Sequence, residues 1–258
     1  MNRLSGKVAI VTGAAARGEG IGNGTATAIL FAREGAKVVL VNRSLERAQA
    51  LEAQIRAEGG EATAFAADVT KPDQAEAMAG FAVARYGRLD ILHNNVGVGS
   101  GGSVETVKLD RWDRVIATNV TSVLLTTRFA IPHMRASGGG AIINVSSILG
   151  MVGSAGMAAY TATKAALQGL TLSLAADYAT DGIRANCLVV GTVATPLVAG
   201  LGPEARERRR LSVPLQTEGT GWDVGWAAVY LASDEARWVT GVMLPVDGGF
   251  LTLRPRPQ

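Results

Sequence analysis

The chain has 258 residues, 48% of them hydrophobic and 18% charged, and a formal net charge of +3. This composition excludes a disordered chain, and so small a charge gives no support for nucleic-acid binding. The single cysteine, Cys187, excludes an internal disulfide framework, and the apolar run around it predicts a core residue rather than a nucleophile. Because the first residues lack a signal-peptide pattern and no apolar stretch reaches bilayer length, we expect a cytoplasmic protein without a membrane segment.

Strand and helix patterns alternate along the chain. Apolar, β-branched runs predict strands at 8–12, 37–41, 62–67, 89–93, 141–147, 183–189 and 242–246. Helical patterns lie between them, with an irregular stretch at 190–218 that we expect to be a flexible flap. This alternation predicts one α/β domain over residues 1–258, a Rossmann fold whose doubly wound parallel sheet of about seven strands carries helices on both faces. Such a sheet binds ligands beyond the carboxyl ends of its strands, and no metal site is expected.

A glycine-rich turn between the first strand and the first helix predicts a nucleotide site, since a pyrophosphate can approach its backbone and sit at the helix N-terminus. The compact arrangement here is T-G-x-x-x-G-x-G, but Thr12-Gly13 is followed by a longer loop. Two alignments of the last glycine pair are possible, Gly20-Ile21-Gly22 or Gly22-Asn23-Gly24. The second gives a helix of normal length, and makes the loop longer by five residues, because eight residues instead of three then separate Gly13 from Gly22.

The end of the second strand bears on the choice of coenzyme. An acidic residue there would bind the ribose 2′-hydroxyl of NAD and repel a 2′-phosphate, whereas a nearby arginine would accept the phosphate. This chain has Asn42 followed by Arg43, with Arg17 in the glycine loop. We therefore favour NADP(H), while NAD(H) stays possible because asparagine can still bind a ribose hydroxyl.

The stretch from Asn144 to Lys164 indicates acid–base chemistry. Tyr160 and Lys164 are four residues apart on a predicted helix, so both side chains lie on one face. A neighbouring ammonium favours the phenolate form of a tyrosine, and a serine at the end of the preceding strand, Ser146 or Ser147, could bind the same substrate oxygen. Taken alone, Y-x-x-x-K also fits an ordinary helix tyrosine and a surface lysine.

Over essentially its whole length the chain resembles the classical short-chain dehydrogenase/reductase family. The matching pieces are Thr12-Gly13 with the glycine loop, Asp68-Val69, Asn94-Asn95-Val96-Gly97, Asn119, Ser147, Tyr160 with Lys164, and Asp247-Gly248-Gly249. Each motif is weak alone, but together they stand in the family's order and spacing. Three departures are the expanded loop, Val96 in place of alanine, and Val190 in place of the proline that usually precedes the glycine after the sixth strand.

The resemblance implies a role for each catalytic candidate. Tyr160 would be the general acid/base, and Lys164 would support it and bind the nicotinamide ribose. Ser147, thirteen residues before the tyrosine, would hydrogen-bond the substrate oxygen. Asn119 would hold a water that links Lys164 to solvent. The implied cofactor contacts are Gly13, Arg17, Ile21, Gly22, Asn23, Gly24, Asn42, Arg43, Asp68, Val69, Asn95, Val96, Gly97, Tyr160, Lys164, Gly191, Val193 and Thr195.

The resemblance also implies an NAD(P)-dependent alcohol dehydrogenase or carbonyl reductase, and a homotetramer as the assembly. The front half of the flap, residues 197–202, and the loop after Ser147 are apolar and offer no clear cation for an acidic substrate, so we expect a small, neutral, largely apolar ketone or secondary alcohol. The basic cluster at 206–210 is expected to be a solvated helix face. A non-catalytic dinucleotide-binding regulator is the alternative, and an enoyl reductase fits poorly because the serine–tyrosine spacing is that of carbonyl chemistry.

Overall fold

The structure, a computed structural model, describes residues 2–16, 18 and 20–253, apart from the side chain of Leu197. Seven parallel strands form one sheet in the order β3-β2-β1-β4-β5-β6-β9. They are β1 (Val8–Thr12), β2 (Lys37–Asn42), β3 (Glu61–Ala66), β4 (Ile91–Asn94), β5 (Gly140–Ser147), β6 (Ile183–Val190) and β9 (Met243–Val246). The order reverses between β1 and β4, which is the switch point at which doubly wound sheets bind ligands. The predicted Rossmann fold is confirmed.

Helices cover both faces of this sheet. They are α1 (Asn23–Arg33), α2 (Leu45–Ala57), α3 (Pro72–Tyr86), α4 (Leu109–Ile116), α5 (Ser122–Ala136), α6 (Ala158–Tyr178), α7 (Pro203–Leu211) and α8 (Gly221–Ala232). One buried cluster joins α1, α2 and α8 to the sheet, with Phe31, Leu51 and Val229 among its members. A second cluster on the opposite face joins α3, α5 and α6, with Met78 and Met134. Because both faces are covered, the strands are apolar without alternation.

The stretch at 190–218, predicted to be irregular, contains regular structure. The helix α7 lies within it, and β7 (Val193–Ala194) pairs in parallel with β8 (Gly219–Thr220) as a separate ribbon. The basic cluster at 206–210, expected to be a helix face, lies in α7, although the nine residues PEARERRRL give this helix almost no apolar face by which its limits could be predicted. The flap is thus a short ribbon that carries a charged helix.

The helical segment Leu109–Ala136 is long and apolar enough by composition to cross a membrane, contrary to the sequence prediction that no stretch has that length. It lies against the sheet, however, with Ala130 and Met134 in the core and Thr126 hydrogen-bonded to Asn94. We interpret it as a core helix of the Rossmann fold.

The edge strand β9 contains Pro245, which pairs with Val189 of β6. Cys187 and Gly191 of β6 donate their backbone N–H groups to the carbonyls of Val242 and Val246. In a parallel ladder this alternation turns the nitrogen of residue 245 away from β6, toward the open edge. The missing N–H of the proline therefore costs the sheet no hydrogen bond.

A fully buried histidine lies in β4. His93 sits between Val11 and Ile143 of the neighbouring strands, with its ring edge-on to Phe31 at 6.1 Å between centroids. Neither ring nitrogen has a hydrogen-bond partner among the residues that the structure describes. Burial lowers the pKa of His93 to about 3, so the ring stays neutral in the folded protein at ordinary pH.

We expect this histidine to make the protein sensitive to mild acid. Below pH 6.5 the unfolded chain gains a proton on His93 that the folded chain does not take up until about pH 3, so the free energy of unfolding falls across that interval. The loss at pH 5 should be about 2 kcal/mol. Urea unfolding at pH 7.5 and 5.0 measures it.

His93→Leu should remove most of this pH dependence, whereas His133→Gln, at the only other histidine of the sequence, should keep it. Equal pH dependence in wild type and His93→Leu would contradict the assignment.

Candidate active site

The glycine loop closes onto the carboxyl ends of β1 and β4. Gly13 has a φ of +63°, and its carbonyl accepts a hydrogen bond of 3.1 Å from Nδ2 of Asn95. Gly24 in the first turn of α1 packs so closely that a Cβ there would lie 2.3 Å from the oxygen of Gly13. Gly22 is the N-cap. This is the packing that the alignment Gly22-Asn23-Gly24 requires.

The N-terminus of α1 is suited to an anion. Its N-cap, Gly22, makes no side-chain cap, and the first turn contains no acidic residue. The Oδ1 atom of Asn23 is buried without a partner among the described residues. Free N–H groups at a helix N-terminus favour a phosphate, and an unsatisfied buried acceptor is relieved by a ligand donor. These residues therefore fit a dinucleotide, although Arg17 lies outside the described residues.

Asn42 lies at the end of β2, where the ribose of the coenzyme would bind, but its amide nitrogen and its amide oxygen both make hydrogen bonds within the protein. Its Nδ2 donates to the carbonyl of Ala15 at 2.7 Å, and its Oδ1 accepts from the backbone N–H of Ser44 at 3.0 Å. The side chain thus ties the glycine loop to the end of β2. Arg43 beside it is exposed. The sequence indicated a ribose contact at Asn42 and gave no sign of this anchoring role.

Asp68 follows β3 at the same edge of the sheet. Burial opposes its ionisation, but hydrogen bonds from the hydroxyl and N–H of Thr70 and the charges of Arg43 and Lys71 outweigh burial and lower the pKa of Asp68. The carboxylate is thus fixed in its charged form. Val69 next to it is buried in the core.

The end of β6 meets the motif Asp247-Gly248-Gly249. A Cβ on Gly191 would lie 2.6 Å from the Cα of Asp247, so only glycine allows this approach. The carboxylate of Asp247 accepts backbone N–H groups from Gly249 at 2.8 Å and Leu251 at 2.9 Å. This packing defines the start of the flap, on which Val193 is buried and Thr195 half-buried.

Lys164 and Tyr160 share one face of α6, as their spacing predicts. Lys164 is buried, with its Nζ 5.6 Å from the centroid of the Tyr160 ring and 2.8 Å from the carbonyl oxygen of Val145, to which it donates. A Cβ on Gly97 would lie 3.4 Å from that Nζ. The ammonium therefore sits between the tyrosine and the loop after β4, and one hydrogen bond fixes it to β5.

Asn119 joins this group through a π-helical turn, Ala117–Thr121, between α4 and α5. Its Oδ1 accepts from the N–H of Val98 at 2.8 Å, and its Nδ2 donates to the carbonyl of Val98 and to Oγ1 of Thr163, each at 3.0 Å. Both amide hydrogens are in use, so this side chain fastens the loop after β4 to α6. Single π turns occur often at functional sites.

Two adjacent serines end β5 and point in different directions. Among the described residues, the hydroxyl of Ser147 has one hydrogen bond, which it accepts from the N–H of Leu149 at 3.2 Å. The hydroxyl of Ser146 donates to the carbonyl of Lys164 at 2.7 Å and accepts from Gln168 at 3.3 Å. Ser146 thus holds the turn of α6 that carries the lysine, while Ser147 keeps its proton available. The alternation of side chains along a strand could have revealed this division.

A buried polar network lies beside the candidate catalytic residues. Asn94 donates to Asn144 at 2.9 Å and accepts from Thr126 at 2.7 Å, and Asn144 donates to Thr171 at 3.0 Å. These bonds connect β4 and β5 to α5 and α6. Because each buried partner is satisfied, the network fixes the relative positions of the elements that carry Asn119, Ser147 and Tyr160.

Comparison with known proteins agrees with this architecture. The sequence model of a family described as enoyl-(acyl carrier protein) reductase matches residues 13–251. A 2,5-dichloro-2,5-cyclohexadiene-1,4-diol dehydrogenase from Sphingobium indicum is 39% identical over 96% of this chain and 98% of its own length. A cyclohexanol dehydrogenase from an Acinetobacter species is 37% identical over 96% of both. A crystal structure from Burkholderia xenovorans, described as a short-chain dehydrogenase/reductase, superposes with a TM-score of 0.94 at 39% identity, covering 98% of this chain and 100% of that one.

The protein is a short-chain dehydrogenase/reductase. As a member of this family it is an NAD(P)-dependent oxidoreductase. The short-chain dehydrogenase/reductase fold brings Gly97, Asn119, Tyr160 and Lys164 together, with Ser147 at the end of the adjoining strand. Cys187 is excluded as a nucleophile, because it is fully buried and its burial raises the pKa of the thiol to about 11.

Proposed function

We propose that the protein transfers a hydride between NAD(P)(H) and a ketone or secondary alcohol, with Tyr160 as general acid/base. The observation that carries the proposal is the arrangement around Lys164, whose buried ammonium lies beside the Tyr160 ring and next to Gly97. A dinucleotide regulator that only senses binding has no need of a tyrosine coupled to a buried cation.

The residues divide the proton chemistry among them. When bound, the nicotinamide supplies the hydride in reduction and accepts it in oxidation. In reduction, the hydroxyl of Ser147 donates a hydrogen bond to the carbonyl oxygen, and the phenol of Tyr160 donates the proton that completes the alcohol. Lys164 stabilises the phenolate left behind. In oxidation the same phenolate takes the alcohol proton.

We propose a neutral cyclic ketone or alcohol as the substrate. Its support is the apolar character of residues 197–202 in the flap and of the loop after β5, together with the cyclic alcohols named for two relatives. A third relative, from Sinomonas cyclohexanicum, is 40% identical over 95% of this chain and is described as a cis-4-hydroxycyclohexanecarboxylate dehydrogenase. Its name also contains a cyclic alcohol, but one that bears a carboxylate. Cyclohexanone and a ketocyclohexane carboxylate therefore make an informative pair of substrates.

Turnover on a panel tests the function directly. Absorbance of the reduced cofactor would be followed with cyclohexanone, 4-oxocyclohexanecarboxylate, a 3-oxoacyl thioester and a 2-enoyl thioester, with NADPH and NADH in turn. Oxidation of cofactor with the ketones and none with the enoyl thioester is expected. Turnover of the enoyl thioester alone would replace our proposal with the enoyl reductase, and tight dinucleotide binding without any turnover would favour the regulator.

We propose NADP(H) as the preferred coenzyme, supported by Asn42 and the exposed Arg43 at the end of β2. Asn42→Asp should lower the ratio of kcat/KM for NADPH to that for NADH by about tenfold or more, because a carboxylate repels the 2′-phosphate. Steady-state kinetics with both coenzymes measures the ratio.

Since Asn42 also holds Ala15, the aspartate should weaken binding of both coenzymes as well. Asn42→Ala is the matched control: it breaks the same hydrogen bond without adding charge, and should leave the ratio nearly unchanged. A wild type that strongly prefers NADH would contradict the coenzyme proposal.

We propose that the chain functions as one domain and as a homotetramer in the cytoplasm. The seven-stranded sheet supports the first point, since it takes strands from both ends of the chain. The exposed aromatic side chains of Trp226 and Trp238, on and just after α8, support association of subunits. The reduced, buried cysteine suits a reducing compartment.

A further inference from the structure

A cavity of about 200 Å³ separates the glycine loop from the flap. Gly20 and Ile21 line it from the glycine loop, and Thr195 and Pro196 from the flap. Its charged lining residues are Arg206 and the ion pair of Arg209 with Glu218. Among the residues that the structure describes, its lining includes neither Ser147 nor Tyr160. The cavity is therefore bounded by the glycine loop and the flap, not by the two candidate catalytic hydroxyl groups.

Arg206 differs from the other arginines of α7. Arg208 pairs with Glu204 at 3.9 Å, Arg209 with Glu218 at 2.6 Å and Arg210 with Glu207 at 2.7 Å. Within the described part of the chain no carboxylate lies within 4.0 Å of Arg206.

The guanidinium of Arg206 is instead turned back on the flap itself. Its Nη2 donates to the carbonyl of Ala199 at 3.2 Å, and its Nε donates to that of Leu201 at 3.3 Å. These two bonds hold the group at the cavity and use two of its five N–H donors, so the others can bind an anion.

The glycine-loop side of the cavity favours negative charge. The loop wall, Gly20 and Ile21, leads directly into Gly22 and the free N-terminus of α1. An anion between a helix N-terminus and a guanidinium is stabilised from both sides. A dinucleotide carries its diphosphate at this position of the Rossmann fold.

We propose that Arg206 is a cofactor-positioning residue whose guanidinium binds the diphosphate of the dinucleotide from the flap side. This inference rests on the proposed function, because it needs the dinucleotide site. It also gives the charged helix α7 a role in cofactor binding, because the negative charge of the diphosphate attracts Arg206 and with it the flap. The contact is independent of which ketone is reduced.

Isothermal titration of the whole protein tests the inference without catalysis. The probes are ADP-ribose and its 2′-phosphate, which carry the diphosphate but no nicotinamide, and the corresponding adenosine 5′-monophosphates, which lack the diphosphate. Arg206→Gln should raise the Kd of whichever ADP-ribose form binds by about tenfold and flatten its salt dependence. The Kd of the monophosphate should change by less than about twofold.

Arg208→Gln is the matched control, since Arg208 lies two residues away and 73% of its side chain is exposed. It should leave every Kd within about twofold of wild type. An unchanged Kd for ADP-ribose in Arg206→Gln, or an equal loss for both classes of probe, would overturn the inference. A raised KM for the ketone with unchanged ADP-ribose binding would assign Arg206 to the substrate instead. If the wild type bound none of the probes, the proposed function itself would fail.

Discussion

Tyr160→Phe should reduce kcat by about a thousandfold or more while the protein stays folded and binds its dinucleotide. General acid–base catalysis by a positioned side chain contributes about 10²–10⁴ in rate, and the substitution removes only the hydroxyl that carries the proton. In the described part of the structure this hydroxyl makes no hydrogen bond, so its loss should leave the free energy of unfolding nearly unchanged. Stopped-flow or steady-state reduction of the best ketone measures kcat.

Tyr178→Phe provides the matched control, because Tyr178 ends the same helix far from the cleft. It should retain wild-type kcat and KM. Dinucleotide affinity, measured separately by titration, should be similar in all three proteins. Full activity of Tyr160→Phe on every substrate that the wild type accepts would remove Tyr160 from the mechanism.

Gly24→Ala should be the most destabilising glycine-to-alanine substitution in the nucleotide site. Alanine is normally better than glycine in a helix, but here its Cβ would lie 2.3 Å from the oxygen of Gly13 and 2.5 Å from Nδ2 of Asn95. To relieve these contacts α1 must move away from β1. Overpacking of this kind costs about 3 kcal/mol, which lowers Tm by about 6–12 °C in a protein of this size. Differential scanning calorimetry measures the change.

Gly22→Ala distinguishes the two alignments of the glycine loop. A Cβ at this N-cap would lie 3.3 Å from the Cβ of Ala16, a loop residue that can shift, so the loss should be about 1 kcal/mol or less. If Gly22→Ala proved far more damaging than Gly24→Ala, then the alignment ending at Gly22 would be the correct one. Loss of dinucleotide affinity should follow the same order as loss of stability.

The sequence was sufficient to predict most of the fold. Buried parallel strands are continuous apolar runs bounded by polar residues and glycines, so their number and approximate positions could be read directly. Helix limits were less predictable: α1 begins at Asn23, but Gly22 provides the N-cap without a side chain that would mark it. The short ribbon of β7 and β8 is too brief for any periodicity to reveal.

The site was predictable where spacing along one element decides it. Tyr160 and Lys164 lie on one face because both belong to one helix. Contacts between distant segments were not predictable in the same way. The amide of Asn42 bonds to Ala15 across the loop, and that of Asn119 bonds to Val98, 21 residues earlier in the chain. Such pairings depend on the exact approach of two backbones, about which local patterns say nothing.

Pro245 has a consequence for aggregation. An open sheet edge presents unpaired N–H and C=O groups that can template a strand from another molecule. In β9 the proline nitrogen faces that edge, so a second strand laid alongside would lose a hydrogen bond at the middle of the four-residue strand. Growth of the sheet into a fibre-like stack is thereby disfavoured. Copies of this chain that meet at β9 are therefore expected to rely on side-chain contacts more than on extension of the sheet.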